Sequence, residues 1–287
     1  MAVYANTDLA SITIPIEWDH EVLQARYATG VIWPKVLNRS EVVKGQGSQI
    51  TIPIKGRLTA GTVTAGTGAF VPQAVAPTTA NIVLNTWVQV AVEITDQAKA
   101  QSFWDPTSDF PKDAGAAMSV RYDQDLAALY STLTGLTAVG NEATPEAFDD
   151  GAARAAILRL ANANVPKNNL SFFLPPVAWY AGWLAKVELT AAYATGESKS
   201  AMTTGLRTPI LGVPGYESNL LTTVGTAIKG LLLHKEAFGV GMQLNNETKM
   251  ADRTSALLLS KVAVMSSLYG VLTVRNDHGV VINVRNS

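Results

Sequence analysis

The stretch from Glu41 to Gln97 restricts the possible folds of this chain more than any other. It opens on a strand-like alternation, Ile50-Thr51-Ile52-Pro53-Ile54-Lys55, and closes on a longer one from Ile82 to Ile94. Between them lies GRLTAGTVTAGTGAFVPQAVAPTTA, residues 56 to 80, rich in Gly, Thr, Ala and Pro. Arg57 is the only charged side chain from Gly56 through Val92. So long a linker is uncommon in a compact domain unless it is functional or disordered. Disorder goes with high charge and few β-branched residues, whereas this segment carries Val63, Phe70, Val71 and Val75. Such a surface reads as one that another molecule covers. The outgoing strand places Ile50, Ile52 and Ile54 on one face, and Pro53 marks an edge because it cannot donate to a ladder. The return strand alternates over its whole length, with Ile82, Leu84, Val88, Val90, Val92 and Ile94 opposite Asn85, Trp87, Gln89 and Glu93. The expectation is one long projecting β-hairpin whose missing core comes from a neighbouring copy of the chain. Lys55, Arg57, Val63, Phe70, Val71, Val75 and Trp87 are its candidate contact residues.

Composition narrows the partner. Hydrophobic residues make up 47% of the 287, and charged residues only 16%, against about 25% in typical soluble domains. A chain so rich in apolar residues and so poor in charge fits a protein with much of its surface covered. With 22 basic and 23 acidic side chains the net charge is −1, so no basic excess exists to neutralise a phosphate backbone and sequence-specific nucleic-acid binding is not expected. The absence of cysteine excludes disulfides and thiolate chemistry and fits a reducing cytoplasm. The N-terminus lacks the basic start and apolar run of a signal peptide. No stretch approaches the ~20 apolar residues of a membrane helix.

Along the chain, residues 1 to 16 read as an arm, and Pro15 to Ala28 as a short amphipathic helix. Gln97 to Phe103 reads as a helical turn. The strongest helix signal follows: Asp109 as cap, Pro111 in the first turn, Gly135 as stop, and Met118, Tyr122, Leu126, Leu129 and Leu133 at three- and four-residue steps. Arg121, Asp123, Gln124 and Asp125 fall on the opposite, solvated side. From Thr144 the texture becomes mixed. A helix beginning at Thr144-Pro145-Glu146, a strand from Leu170 to Leu174, a helix from Val177 to Leu189 and a strand from Ile228 to His234 suggest an α/β subdomain. Gly239-Val240-Gly241 reads as a turn. Strands are expected at Ala256–Met265, Tyr269–Arg275 and Val280–Val284, the last two joined as a hairpin through Asn276-Asp277-His278-Gly279. The order suggests a body split by an insertion, with residues from about 144 to 245 placed between the long helix and the C-terminal strands.

The search for chemistry returns little. The three histidines, His20, His234 and His278, show no metal-ligand spacing with one another or with nearby carboxylates. Asp123 and Asp125 are two apart and do not share a helix face. The glycine pairs at 45–47 and 66–68 open no helix, so they carry no phosphate loop, and no serine sits in a nucleophile elbow. No catalytic, cofactor or metal residues are assigned, and the expectation is a structural protein rather than an enzyme.

The order of parts resembles the major capsid (coat) protein of tailed bacteriophages, the Hong Kong ninety-seven type fold. The residues carrying the likeness are IPIEWDHEVLQARYATGVIWPKVLNRS, then GSQITIPIKG, TTANIVLNTWVQVAVEITDQAKAQS, AAMSVRYDQDLAALY and the closing ALLLSKVAVMSSLYGVLTVRNDHGVVINVR. The resemblance implies an α+β fold with an N-terminal arm and short helix (1–40) and an extended loop (41–97). A peripheral domain with a spine helix (98–143), an inserted axial α/β domain (144–245) and the peripheral domain's C-terminal strands (246–287) would follow. It also implies self-assembly into hexamers and pentamers of an icosahedral shell around DNA, with scaffolding, portal and cement proteins as further partners, and no membrane. Lys55 lies at the loop's base, so no crosslink through it is expected. Three other readings stay open. One is an encapsulin-like compartment shell; the second is an enzyme whose site in the α/β subdomain would use Arg207, Tyr216, His234 and Glu236; the third is another virion component, such as a tail or cement protein.

Overall fold

The computed structural model describes residue 28 and residues 30–43, 47–56, 58–62, 74–101, 106–184, 209–255 and 258–286. The early strands are β1 (Leu37–Asn38), β2 (Gln49–Ile54), β3 (Thr78–Val83) and β4 (Thr86–Thr95). Helices α1 (Asp96–Gln101), α2 (Pro106–Ala128) and α3 (Asp150–Asn162) follow, then β5 (Leu170–Leu174). The chain closes with β6 (Gly215–Glu217), β7 (Thr223–Val224), β8 (Ala227–His234), β9 (Phe238–Ser255), β10 (Leu258–Thr273) and β11 (Gly279–Arg285). They form a five-stranded sheet ordered β11-β8-β5-β6 with β7 also on β8, a four-stranded sheet ordered β1-β9-β10-β4, and a two-stranded β2-β3 sheet.

The five-stranded sheet is the most completely covered part of the molecule. All of β5 is buried, as is β8 except Ile228 and β11 except Arg285. Continuous apolar runs of this kind suit strands covered on both faces. Helix α3 packs Ala153, Ala156 and Leu160 onto this core with Phe148, Phe172 and Trp179. Asp149 caps it, Oδ1 accepting from the Ala152 N–H at 2.8 Å. The helix therefore starts at Asp150 rather than Thr144, because residues 139–146 are held instead along β11 by bridges Val139↔Ile282 and Glu146↔Val284. It ends where Asn164 takes a left-handed φ of 59°, a conformation asparagine tolerates. The segment expected as a helix from Val177 is a π-helical turn over Ala178–Trp183.

The C-terminal strands pair differently from the expected hairpin. β11 is antiparallel to β8, Gly279↔Leu233 through Arg285↔Ala227, and not to β10. The turn at 276–279 thus carries the chain between two sheets. β10 is one continuous strand where two were expected, and it pairs with β9 on one side and β4 on the other. Gly239-Val240-Gly241 is not a turn but the start of β9.

Those glycines, with Gly270 on β10, make room for the hairpin. A Cβ at Gly241 would collide with Ile50 Cδ1, and one at Gly270 with the backbone carbonyl of Val83. A glycine inside a strand often marks such a close approach. The return strand also breaks in two at Leu84-Asn85. β3 pairs with β2, Gln49↔Val83 through Ile54↔Thr78, while β4 leaves to pair with β10, Thr86↔Tyr269 through Thr95↔Ser260. The alternation continues across the break because both halves bury the same parity of residues, Ile82 and Leu84 before it and Ile94 after it.

The long helix begins at Pro106, three residues before the expected cap, so Pro106 rather than Pro111 occupies the first position and Pro111 lies inside. Its 23 residues make a rod of about 35 Å. Phe110, Ala114, Met118 and Tyr122 face Ala263, Met265 and Tyr269 of β10, the four-residue recurrence the sequence shows.

Candidate inter-subunit surface

The base of the hairpin has a core of its own. Ile50, Ile82 and Leu84 are buried with Val43, and Ile52 and Leu272 pack alongside. This corrects the expectation that a neighbour supplies the whole core. Cover runs out towards the tip: Thr51, Pro53, Lys55 and Gly56 are exposed, and so is every residue from Ala74 to Thr79. Leu58 is 70% exposed and Val42 69%. The two sides of the linker stay close at its base, where Val75 Cγ1 would sit 3.0 Å from a Cβ on Gly56.

Of the seven candidate contact residues, Lys55, Val75 and Trp87 are exposed. Arg57, Val63, Phe70 and Val71 lie outside the described residues, as do most of the helix expected from Pro15, His20 and Arg207. Trp87, 63% exposed, sits near the start of β4. β4 ends its sheet, so its outer edge has no strand partner among the described residues. A ten-residue outer strand with an exposed tryptophan offers a sheet edge and apolar area, the combination that strand addition uses.

A rigid seam holds these surfaces to the body, and sequence reasoning missed its main residue. Asp123, expected on a solvated face, is fully buried. Its Oδ2 accepts from the Ile32 N–H at 2.9 Å and its Oδ1 from the Trp33 N–H at 2.9 Å. The Val31 N–H donates to Oδ2 as well. A carboxylate satisfied by three amides replaces its lost water with fixed dipoles, and it fastens the chain leading from the N-terminal segment onto the long helix. Trp33 then packs on Tyr122 (4.8 Å between ring centroids), which meets Tyr269 edge-on at 4.8 Å. The Tyr269 hydroxyl donates to Asp125, which also pairs with Arg121 at 3.1 Å. Burial and then the Asp125 carboxylate raise the Tyr269 pKa, so the phenol remains a donor. The Tyr122 hydroxyl donates to Asn246 Oδ1 at 2.6 Å, next to the place where the β9–β10 register shifts. Asn246 has φ 45° there. A bulge of this kind bends a long strand, and the helix holds it by a hydrogen bond.

Of the four residues suggested for an enzyme, Arg207 lies outside the described residues, and His234 and Glu236 come together beside His278. Tyr216 stacks on Phe173 with ring centroids 5.7 Å apart and carries Lys35 above its ring. His234 faces His278 edge-on at 5.5 Å. Burial, then the neighbouring His278, lower the His234 pKa. Lys229, 2% exposed, donates to Asn283 Oδ1 at 2.9 Å and pairs with Glu142 at 2.9 Å. It is an internal fastener between β8, β11 and the 139–146 segment. No helix among the described residues is long and apolar enough to cross a membrane.

No protein-family model and no curated protein matches the sequence. Solved structures match nearly end to end. A chain of Mycobacterium phage Che8 superposes with a TM-score of 0.79 at 18% identity, over 94% of this chain and 97% of that one. A chain of the acid-stable capsid of Helicobacter pylori bacteriophage KHP30 gives 0.75 at 12% identity, covering 99% of each. A chain of the capsid of cyanophage P-SCSP1u gives 0.74 at 18%, covering 99% and 96%. The molecule is an α+β protein built as phage capsid subunits are. Its fold is the phage major-capsid fold that the order of sequence motifs implied.

Proposed function

We propose that the chain is a major capsid protein, a structural subunit that assembles with copies of itself into the icosahedral shell around the double-stranded DNA of a tailed phage. The observation that carries this reading is the end-to-end match to phage capsid chains, with almost nothing left over on either side. The surface supports it. The exposed hairpin, the open β4 edge and Trp87 are features that repeated contacts between identical subunits would cover. In this reading residues 41–97 form the extended loop and α2 the spine helix. Residues from about 144 to 245 form the bulk of the axial part, and the loop contacts a neighbour's spine helix and C-terminal strands. The subunit is made in the host cytoplasm and ends in the virion capsid, and scaffolding, portal and cement proteins are its further partners. Near-neutral charge suits a container that holds DNA without gripping it.

Electron microscopy of the expressed chain, alone and with any companion scaffold, tests the proposal. Uniform shells of icosahedral outline support it; a stable monomer that turns over a substrate overturns it. Shells filled with protein cargo would instead favour the compartment reading. A second experiment addresses the loop. Removing residues 58–76 leaves β2 and β3 intact, so the subunit keeps its circular dichroism spectrum and loses shell formation. Shells of unchanged thermal stability would show that the loop is not the clamp between subunits.

A further inference from the structure

Two turns that are far apart in sequence meet at one end of the five-stranded sheet. The β8–β9 turn carries His234 and Glu236, and the β10–β11 turn carries Asp277 and His278. Their backbones are tied directly, the His234 N–H donating to the His278 carbonyl at 2.9 Å. Each turn is closed internally, Ala237 N–H to His234 carbonyl at 2.9 Å and His278 N–H to Arg275 carbonyl at 3.3 Å. The two imidazoles are therefore placed by backbone geometry rather than by flexible side chains. Both are buried, at 6% and 8% exposure. One ligand-capable atom from each of His234, Glu236 and His278 lies within 4.8 Å of the other two.

We infer that His234, Glu236 and His278 form a binding site for a borderline divalent transition ion such as Zn²⁺. Two imidazoles and one carboxylate are a donor set such ions favour over the hard cations, which take all-oxygen sites. The outer contacts suit the role. Asp277 Oδ1 lies 2.7 Å from His278 Nδ1. A carboxylate accepting from Nδ1–H fixes the tautomer that leaves the Nε2 lone pair free, and this is the support that ligating histidines generally have. His234 Nδ1 accepts from the Glu236 N–H in a long contact of 3.3 Å; ligation through Nε2 requires the neutral ring to shift its proton from Nε2 to Nδ1, which gives up that contact. Arg275 Nε lies 3.6 Å from Glu236 Oε2, so an ion there would share the carboxylate with the guanidinium. Ligands of a tetrahedral ion at about 2.0–2.1 Å sit about 3.4 Å apart. Binding therefore draws the three groups together by about 1 Å, within the reach of an exposed glutamate. Three protein ligands leave a fourth position open to water. The ion would join the β8–β9 and β10–β11 turns across the point where the chain passes from one sheet to the other, and so stabilise the folded subunit by mass action.

The test uses tag-free full-length protein, metal-stripped by dialysis, with Zn²⁺ and then Co²⁺ added as the chloride. Calorimetry and metal analysis should give about one ion per subunit. Co²⁺ should produce the strong visible ligand-field absorption of a tetrahedral site, and Zn²⁺ should raise the unfolding temperature. His234→Gln and His278→Gln should each abolish the Co²⁺ spectrum while keeping the far-ultraviolet circular dichroism of the parent. Asp277→Asn, which touches no ion, should weaken affinity about ten- to hundredfold. No saturable binding by the parent overturns the proposal, as does binding or a Co²⁺ spectrum that survives in both histidine variants. Should a histidine variant fail to fold, Glu236→Gln decides. Its side chain is exposed, so the substitution leaves no cavity, and an unchanged affinity there overturns the site as assigned.

Discussion

The five-stranded sheet and the β2–β3 hairpin are both poor in charge, yet only the first is covered by its own chain. β5, β8 and β11 are buried almost throughout, and the one lysine among them, Lys229, is fully partnered. The hairpin is covered at Ile50, Ala80, Ile82 and Leu84, and its described residues between Ile54 and Ala80 are exposed. The difference teaches that low charge in a sequence does not say what covers a segment. Burial within the chain and burial between chains leave the same composition. Only the end of intramolecular packing, here near Ile54, marks where the second kind begins.

Changes in the covered half should show in the isolated subunit, and the largest effect is expected at Asp123. Asp123→Ala leaves three backbone N–H groups without their acceptor, that of Ile32 buried and those of Val31 and Trp33 part-buried. Unpaired buried donors cost about 1–3 kcal/mol each, so denaturant unfolding should report a loss of about 3–5 kcal/mol against the parent. A loss below about 1 kcal/mol would mean that water replaces the carboxylate and that the seam is not rigid. Gly270→Ala comes next. Its Cβ meets the backbone oxygen of Val83, which cannot swing away as a side chain would. A loss of about 1–3 kcal/mol is expected, with a changed environment at nearby Trp87 visible in fluorescence. An unchanged midpoint would show that the hairpin base can lift off β10.

The sequence made the hairpin, the long helix and the buried strands legible, because each is a local periodicity. Met118, Tyr122 and Leu126 are buried at the expected four-residue spacing. What escaped depends on pairing across the chain. The break at Leu84-Asn85 does not interrupt the period of two, so nothing local announces that β4 leaves β3 for β10. Glycines 239 and 241 carry the ordinary sign of a turn, and only the crossing hairpin explains them as a strand. Asp123 looked solvated because its partners, the amides of residues 31 to 33, lie some ninety positions away. Asp123 directly after the core-facing Tyr122 held a hint, since an aromatic residue beside a carboxylate invites a buried hydrogen bond. For the surface residues, exposure could be inferred from composition at Trp87 and Val75, whereas the identity of their cover could not.

The smallest effect on the subunit, and the most pointed use of the comparison, is expected at Trp87. Trp87→Ser removes a large exposed ring from the outer strand of its sheet without leaving a cavity. Exposed substitutions away from special backbone positions usually change stability by no more than about 0.5 kcal/mol, and the subunit should unfold within that margin of the parent. A ring that a neighbour covers in the shell would nonetheless contribute at each of many identical contacts, and aromatic residues dominate the energetics of such interfaces. Light scattering during assembly should therefore show a critical concentration raised about tenfold or more, corresponding to about 1.4 kcal/mol per contact, with monomer stability unchanged. Equal assembly by parent and variant would place Trp87 on the free surface of the shell. The β4 edge would then be available to something other than a second copy. A matching loss of stability in the monomer would instead show that the ring is held by its own chain, which would move the boundary between the two kinds of burial outward from Ile54 to include the start of β4.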